Sequence, residues 1–280
     1  MRWSFEEGSK NGSGRLCIKV GGAQLRDPEA RREFAEAISA AREQGYECVI
    51  VHGGGDQIRE LSKRLSIEDE YHDGLRITDA QTAEVALCVL AGSVNKALVQ
   101  SLQDMGVPAV GLCGADGGTF TAKKHTPKGQ DLGFVGQIDD VDPRLVDALL
   151  QSGFTPVLAT LGPRSSAEPT EPLYNINADT AAGPLARALG CDAMLFLTDV
   201  EAVLDQHGVR IPRLCPEQCE RLREDDVLRG GMLPKTEAAS LAKAELGPGR
   251  VKIASAKGPD AVLTALGDQS GTEFEPRRRR

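Results

Sequence analysis

The chain has 280 residues and a formal net charge of −8. That acidic balance opposes binding to nucleic acid or to an anionic membrane surface, and no apolar run approaches the roughly 18–20 residues of a membrane span. A hydrophobic share of 40% beside 26% charged residues suits one large α/β domain or two lobes sharing a sheet.

The order of elements follows from periodicity and punctuation. Residues 1–14 are polar and rich in Gly and Ser, and lack the apolar core of a secretory signal, so a disordered tail and a cytoplasmic location are expected. RLCIKV (15–20) reads as a buried strand running into Gly21 and Gly22. Asp27-Pro28 is a cap and first-turn pair that predicts a helix over 28–43. CVIVH (48–52) is a second buried strand, ending in Gly53, Gly54 and Gly55, with a helix over about 56–65 behind it. Charged, irregular sequence over 67–78 carries the turn signal Asp73-Gly74 and predicts a projecting hairpin.

A long helix is expected over about 80–105, then a strand at VPAVGL, a hairpin of 119–123 with 134–138, a helix over 143–152 and a strand at TPVLAT. A polar, proline-containing loop spans 162–172. Asn175 and Asn177 then leave one face of an extended piece, Asn177 at a helix N-cap position and Asp179 in the first turn. After the strand AMLFL, helices over 216–224, 236–246 and 259–266 and the strand VKIAS complete the pattern. Strands alternating with helices imply a largely parallel sheet covered on both faces.

Seven cysteines without paired C-x-x-C spacing and four scattered histidines offer no metal site and suit a reducing compartment. Two strands end in glycine clusters, at Gly21-Gly22 and at Gly53 to Gly55, where backbone N–H groups can approach an anion. Each alone is equally a tight strand–helix turn. No G-x-G-x-x-G follows a strand, and the P-loop-like stretch 230–236 has Pro234 where glycine is required. Lys19 inside an apolar strand is costly to bury without an anionic partner, and Lys235 at a helix start opposes the helix dipole. As single residues both read equally well as surface lysines with snorkelling stems. With Asp179 between them they would form the cationic pair that phosphoryl transfer requires.

Eight motifs in order, IKVGGA, VIVHGGG, DGLRITD, VNKALV, DLGFVGQI, YNINADTAA, FLTDV and GGMLPK, resemble the amino acid kinase superfamily, in particular its branch acting on N-acetylglutamate. The resemblance covers about residues 16–274 and implies an α/β fold, an αβα sandwich with a mainly parallel central sheet. It implies an amino-terminal lobe (15–175) for the acyl amino acid and dimerisation, a carboxyl-terminal lobe (176–274) for ATP, and a basic tail (275–280). The implied reaction is ATP-dependent phosphorylation of the γ-carboxylate of N-acetyl-L-glutamate, with Mg²⁺ carried by the nucleotide. By similarity, Lys19 and Lys235 would stabilise the transferring phosphoryl group, and Asp179 would orient both. Gly21, Gly22 and Gly54 would meet the phosphates or reacting carboxylate. Gly54, Gly55, Arg76 and Asn175 would hold the acyl substrate, and Asp199, Val200, Glu201, Ala202, Val203 and Leu204 would border the nucleotide.

Ala202 departs from a glycine usual in the family, and the 164–172 loop looks longer than usual. The polar first residues do not supply the amino-terminal helix of arginine-inhibited hexamers, so a homodimer with little arginine inhibition is expected. Kinases for carrier-linked aminoadipate or glutamate, and a catalytically silent amino-acid sensor on the same fold, are the competing readings.

Overall fold

The computed structural model describes residues 14–165 and 172–277, so the expected tail before residue 14, the basic end beyond 277 and most of the 164–172 loop lie outside the described residues. β1 (Arg15–Val20) leads through α1 (Ala23–Arg26) into α2 (Pro28–Glu43), and β2 (Glu47–His52) into α3 (Gly55–Arg64). β3 (Tyr71–His72) and β4 (Leu75–Arg76) form the expected hairpin. Next come α4 (Ala80–Leu87), a π-helical segment (Cys88–Val94), α5 (Asn95–Asp104) and β5 (Ala109–Leu112). β6 (Phe120–Lys124) and β7 (Val135–Val141) pair antiparallel, followed by α6 (Arg144–Gln151), β8 (Thr155–Ala159), β9 (Leu161–Gly162) and β10 (Tyr174–Ile176). The remainder is α7 (Ala178–Ala188), β11 (Ala193–Thr198), β12 (Arg213–Leu214), α8 (Pro216–Glu224), α9 (Met232–Leu246), β13 (Arg250–Ser255), α10 (Ala261–Leu266) and β14 (Thr272–Phe274).

Eight strands form the main sheet in the order β12-β14-β13-β11-β1-β2-β8-β5, parallel except where β13 meets β14. A four-stranded sheet, β6-β7-β10-β9, is separate from it. Strand parity sorts the core into two layers. Leu16, Ile18, Cys48, Ile50 and Leu195 face a cluster built with Phe34, Ile38, Leu98 and Val262 from α2, α5 and α10. Cys17, Val49, Val51, Met194 and Phe196 face the other, with Leu185, Ala239 and Val146 from α7, α9 and α6. Each fully buried Leu, Ile or Phe contributes about 1.5–3 kcal/mol, so both sheet faces are stabilised by helix cover.

Two expectations are revised. The helix expected over 236–246 begins at Met232, because Pro234 falls in the first turn, where a missing N–H costs no intrahelical bond. The stretch Ala80–Asp104 is long and apolar enough to cross a membrane by length and composition alone, although short polar interruptions break its apolar runs. Here Val85, Ala86, Val89, Leu90, Val94, Leu98 and Leu102 all turn into the core, so it serves as a cover helix of the sheet.

Candidate active site

The carboxyl ends of β13, β11, β1 and β2 are neighbours along one sheet edge, which brings four loops together at the crevice where open α/β sheets take ligands. Lys19 shares a face of β1 with Cys17 and looks toward α7. Its ammonium lies 2.6 Å from Oδ1 of Asp179, and the lysine is only 9% exposed. Asp179 is held in the first turn of α7, where the helix dipole favours a carboxylate. The Asn177 side chain caps that helix, accepting from the N–H groups of Asp179 (2.9 Å) and Thr180 (3.3 Å). A Cβ on Gly21 would stand 3.3 Å from Lys19 Nζ, so glycine there keeps the lysine head clear on its turn side.

On the β2 side, a cavity of about 200 Å³ is lined by Gly53 to Gly55, Arg76, Asn175 and Asn177, among others. Arg76 is buried and pre-set: it pairs through Nη1 with Asp69, donates from Nη2 to the Gly55 carbonyl (2.7 Å) and stacks over Tyr71, 4.8 Å from the ring centre. The backbone of Gly54 packs so closely on the long helix that a Cβ would come within 2.8 Å of Leu90 Cδ2. The cavity thus combines a fixed guanidinium, a backbone-lined turn at the start of α3 and two asparagines. Those are the groups that recognise a small, polar, carboxylate-bearing ligand.

On the β11 and β13 side, Asp199 accepts from the Thr198 hydroxyl at 2.8 Å. That bond, its own backbone amide and the positive charges of Lys235 and Lys257 hold its carboxyl below the usual range. Lys235 lies in the first turn of α9, its Nζ 3.4 Å from the Gly231 carbonyl. A second cavity, of about 360 Å³, is lined by Glu201, Arg210, Ser255 and Lys257 among others. Ala202 and Val203 are buried, and the Val203 N–H donates to Thr272 Oγ1. Their side chains turn into the protein, and Glu201 is the member of the 199–204 loop that lines this cavity.

The geometry gathers Lys19, Asp179, Gly21 and the 53–55 turn closely, and places Arg76 and Asn175 in one cavity. It does not join Asp179 to both lysines: among the described residues Asp179 pairs with Lys19 alone, and Lys235 acts on Asp199. Sequence reasoning missed Lys257, just beyond β13, although it stands beyond a parallel strand end, as the glycine turns after β1 and β2 do. It also missed Asp69 and Tyr71, which hold Arg76 from within the same hairpin region. Among the described residues no cluster of three or more His, Cys, Asp or Glu is arranged to hold a metal ion.

A parallel-sheet edge with a buried lysine–carboxylate pair, flanked by a cavity that a fixed guanidinium lines and by a second, lysine-lined cavity, suits a small-molecule phosphotransferase. The chain belongs to the amino acid kinase family, whose model matches residues 14–255. It is 42% identical over 258 residues to the acetylglutamate kinase of Rhizorhabdus wittichii, covering 89% of this chain and 84% of that one. With the acetylglutamate kinase of Acidiphilium cryptum it shares 41% over 266 residues, 91% of this chain and 87% of the relative. In fold it matches N-acetylglutamate synthase from Neisseria gonorrhoeae with a TM-score of 0.80 at 21% identity, over 95% of this chain and 60% of that one. Carbamate kinase from Giardia lamblia gives 0.71 at 15%, over 95% and 99%.

Proposed function

We propose that the chain is an acetylglutamate kinase, which transfers the γ-phosphoryl group of ATP to the γ-carboxylate of N-acetyl-L-glutamate in the second step of arginine biosynthesis. The observation that carries this reading is the buried Lys19–Asp179 pair at the carboxyl edge of the main sheet, in a chain 42% identical to a named acetylglutamate kinase. A γ-carboxylate is already an anion at neutral pH, so no general base is needed, and a side-chain carboxylate oxygen attacks the γ-phosphorus directly. As that O–P bond forms, the bond from the γ-phosphorus to the β–γ bridging oxygen breaks, and ADP leaves with the electron pair. The obstacle is repulsion between two anions. Lys19 from one side, Lys235 from the other, and the N–H groups of Gly21, Gly22 and Gly54 reduce it.

In this reading Arg76, Asn175, Gly54 and Gly55 hold the acyl amino acid in the amino-terminal lobe (15–175). The carboxyl-terminal lobe (176–274) takes ATP, with its Mg²⁺ arriving as part of that substrate, along Asp199 to Leu204 and Lys257. Asp179 orients Lys19, and Lys235 approaches the phosphates from the Asp199 side. The enzyme works in the cytoplasm as a homodimer. An ADP-release assay comparing N-acetylglutamate, glutamate and aspartate tests the reading: turnover confined to the acetylated substrate is expected, and turnover with either free amino acid instead would overturn it.

A further inference from the structure

His52 has no part in the chemistry above, yet it is fully buried at the last position of β2, directly before the glycine turn. Its Nδ1 lies 2.9 Å from the Gly53 carbonyl oxygen, and its Nε2 lies 3.0 Å from Nδ2 of Asn95. A carbonyl only accepts, so Nδ1 carries the proton; Nε2 is then bare and accepts from the Asn95 amide. The same amide nitrogen donates to the Val157 carbonyl (3.0 Å), and Oδ1 accepts from Lys96 Nζ (2.9 Å). Flipping the amide would set its oxygen against the Val157 carbonyl and its NH₂ against an ammonium. The network therefore specifies one tautomer and one amide orientation.

Room for the network comes from Gly111 in β5. A Cβ there would fall 1.7 Å from Asn95 Oδ1 and 2.7 Å from Lys96 Nζ. The π-helical turn just before Asn95 presses Leu90 and Val94 against Gly54, so one helix grips the turn at two successive glycines. Farther along, the Gly55 carbonyl accepts from Arg76. A displacement at Gly53 is thus passed through the turn to the guanidinium that faces the cavity.

We propose that His52 and Asn95 are positioning residues that fix the Gly53 to Gly55 turn, and with it Arg76, in the geometry that receives the acyl amino acid. The proposal deepens the kinase reading and rests on it. Burial pulls the imidazole down to about 4, against the opposing effect of the Gly53 bond and with help from the Lys96 charge, so the ring stays neutral in the working enzyme.

Two variants separate the roles of the ring nitrogens. His52→Asn keeps an N–H donor near the Nδ1 position, whereas His52→Gln moves the amide out toward Nε2 and abandons the Gly53 carbonyl. Steady-state kinetics of His52→Gln should show KM for N-acetylglutamate raised about tenfold, KM for ATP within about twofold, and most of the loss recovered in His52→Asn. Equal KM values in both variants, or a parallel rise in both substrates' KM, overturn the proposal. In the wild-type protein, ¹⁵N NMR of the His52 ring near neutral pH should show Nδ1 protonated and Nε2 bare, and the opposite tautomer also overturns it. A wild-type chain that fails to phosphorylate N-acetylglutamate sinks the kinase reading by itself, and the NMR result then decides the network.

Discussion

The Lys19 ammonium sits 2.6 Å from the Asp179 carboxylate, which ties the end of β1 to the first turn of α7 across the centre of the site. The pair is largely withdrawn from water, so each charge depends on the other. Lys19→Ala leaves Asp179 without its counter-charge and removes a cation from the transferring phosphoryl group. We predict a fall in kcat of about 10²–10³-fold with KM for either substrate changed much less. Near-normal turnover in that variant would remove Lys19 from the mechanism.

Asp179→Asn is the sharper test of orientation. The amide is nearly isosteric and keeps the first turn of α7 capped through Asn177. The buried lysine then faces a neutral group, and we predict a loss of stability of about 1–3 kcal/mol by urea unfolding, together with a fall in kcat. A variant as stable and as active as the wild type would show that Lys19 is placed by the strand alone.

Arg76 tests the acyl cavity. Its guanidinium simultaneously meets Asp69, the Gly55 carbonyl and the Tyr71 ring, which a lysine ammonium cannot reproduce. Arg76→Lys should raise KM for N-acetylglutamate by about 10–100-fold and leave KM for ATP within about twofold. An effect on ATP instead would relocate the acyl site.

Local chemistry made much of this legible. Asp27-Pro28 placed α2 to the residue, and strand lengths with glycine ends placed β1 and β2 and the turns behind them. Asn177 and Asp179 stood where a cap and first turn belong, and the hydrogen bonds follow. What escaped was non-local. β9, β12 and β14 are two or three residues long, too short for any period to register. The partner of Arg76, Asp69, lies seven residues upstream and meets it only because the hairpin folds back. The grouping of Lys235 with Asp199 rather than Asp179 depends on how α9 crosses the sheet edge, which spacing along the chain does not encode.

His52 makes stability depend on pH in a defined direction. Its folded value of about 4 lies below the ordinary 6.5, so the unfolded chain takes up a proton that the folded chain refuses. The contribution is fully present above about pH 6.5 and is lost as pH falls from there through about 4. Lys96 is the charged neighbour, and it opposes protonation throughout this range. Urea unfolding should lose about 2 kcal/mol from this residue between about pH 7.5 and pH 5, and His52→Asn should remove that part of the slope. Identical slopes in the two proteins would mean that the folded imidazole takes up its proton as readily as the unfolded one.

Lys235 places a cation in the first turn of α9, where the helix dipole repels it, and its only hydrogen bond among the described residues is a long one to Gly231. Asp199 offsets some of that cost from a distance, which leaves a site waiting for a stronger anion. Lys235→Ala should therefore leave the melting temperature of the free protein unchanged or slightly raised, while reducing the rise that saturating Mg-ATP produces. The same variant should lower kcat about 10–100-fold, whereas Lys257→Ala should act mainly on KM for ATP. Destabilisation of the free protein by Lys235→Ala, with the ATP-dependent rise intact, would make the lysine a structural part of the helix start and not a phosphate ligand.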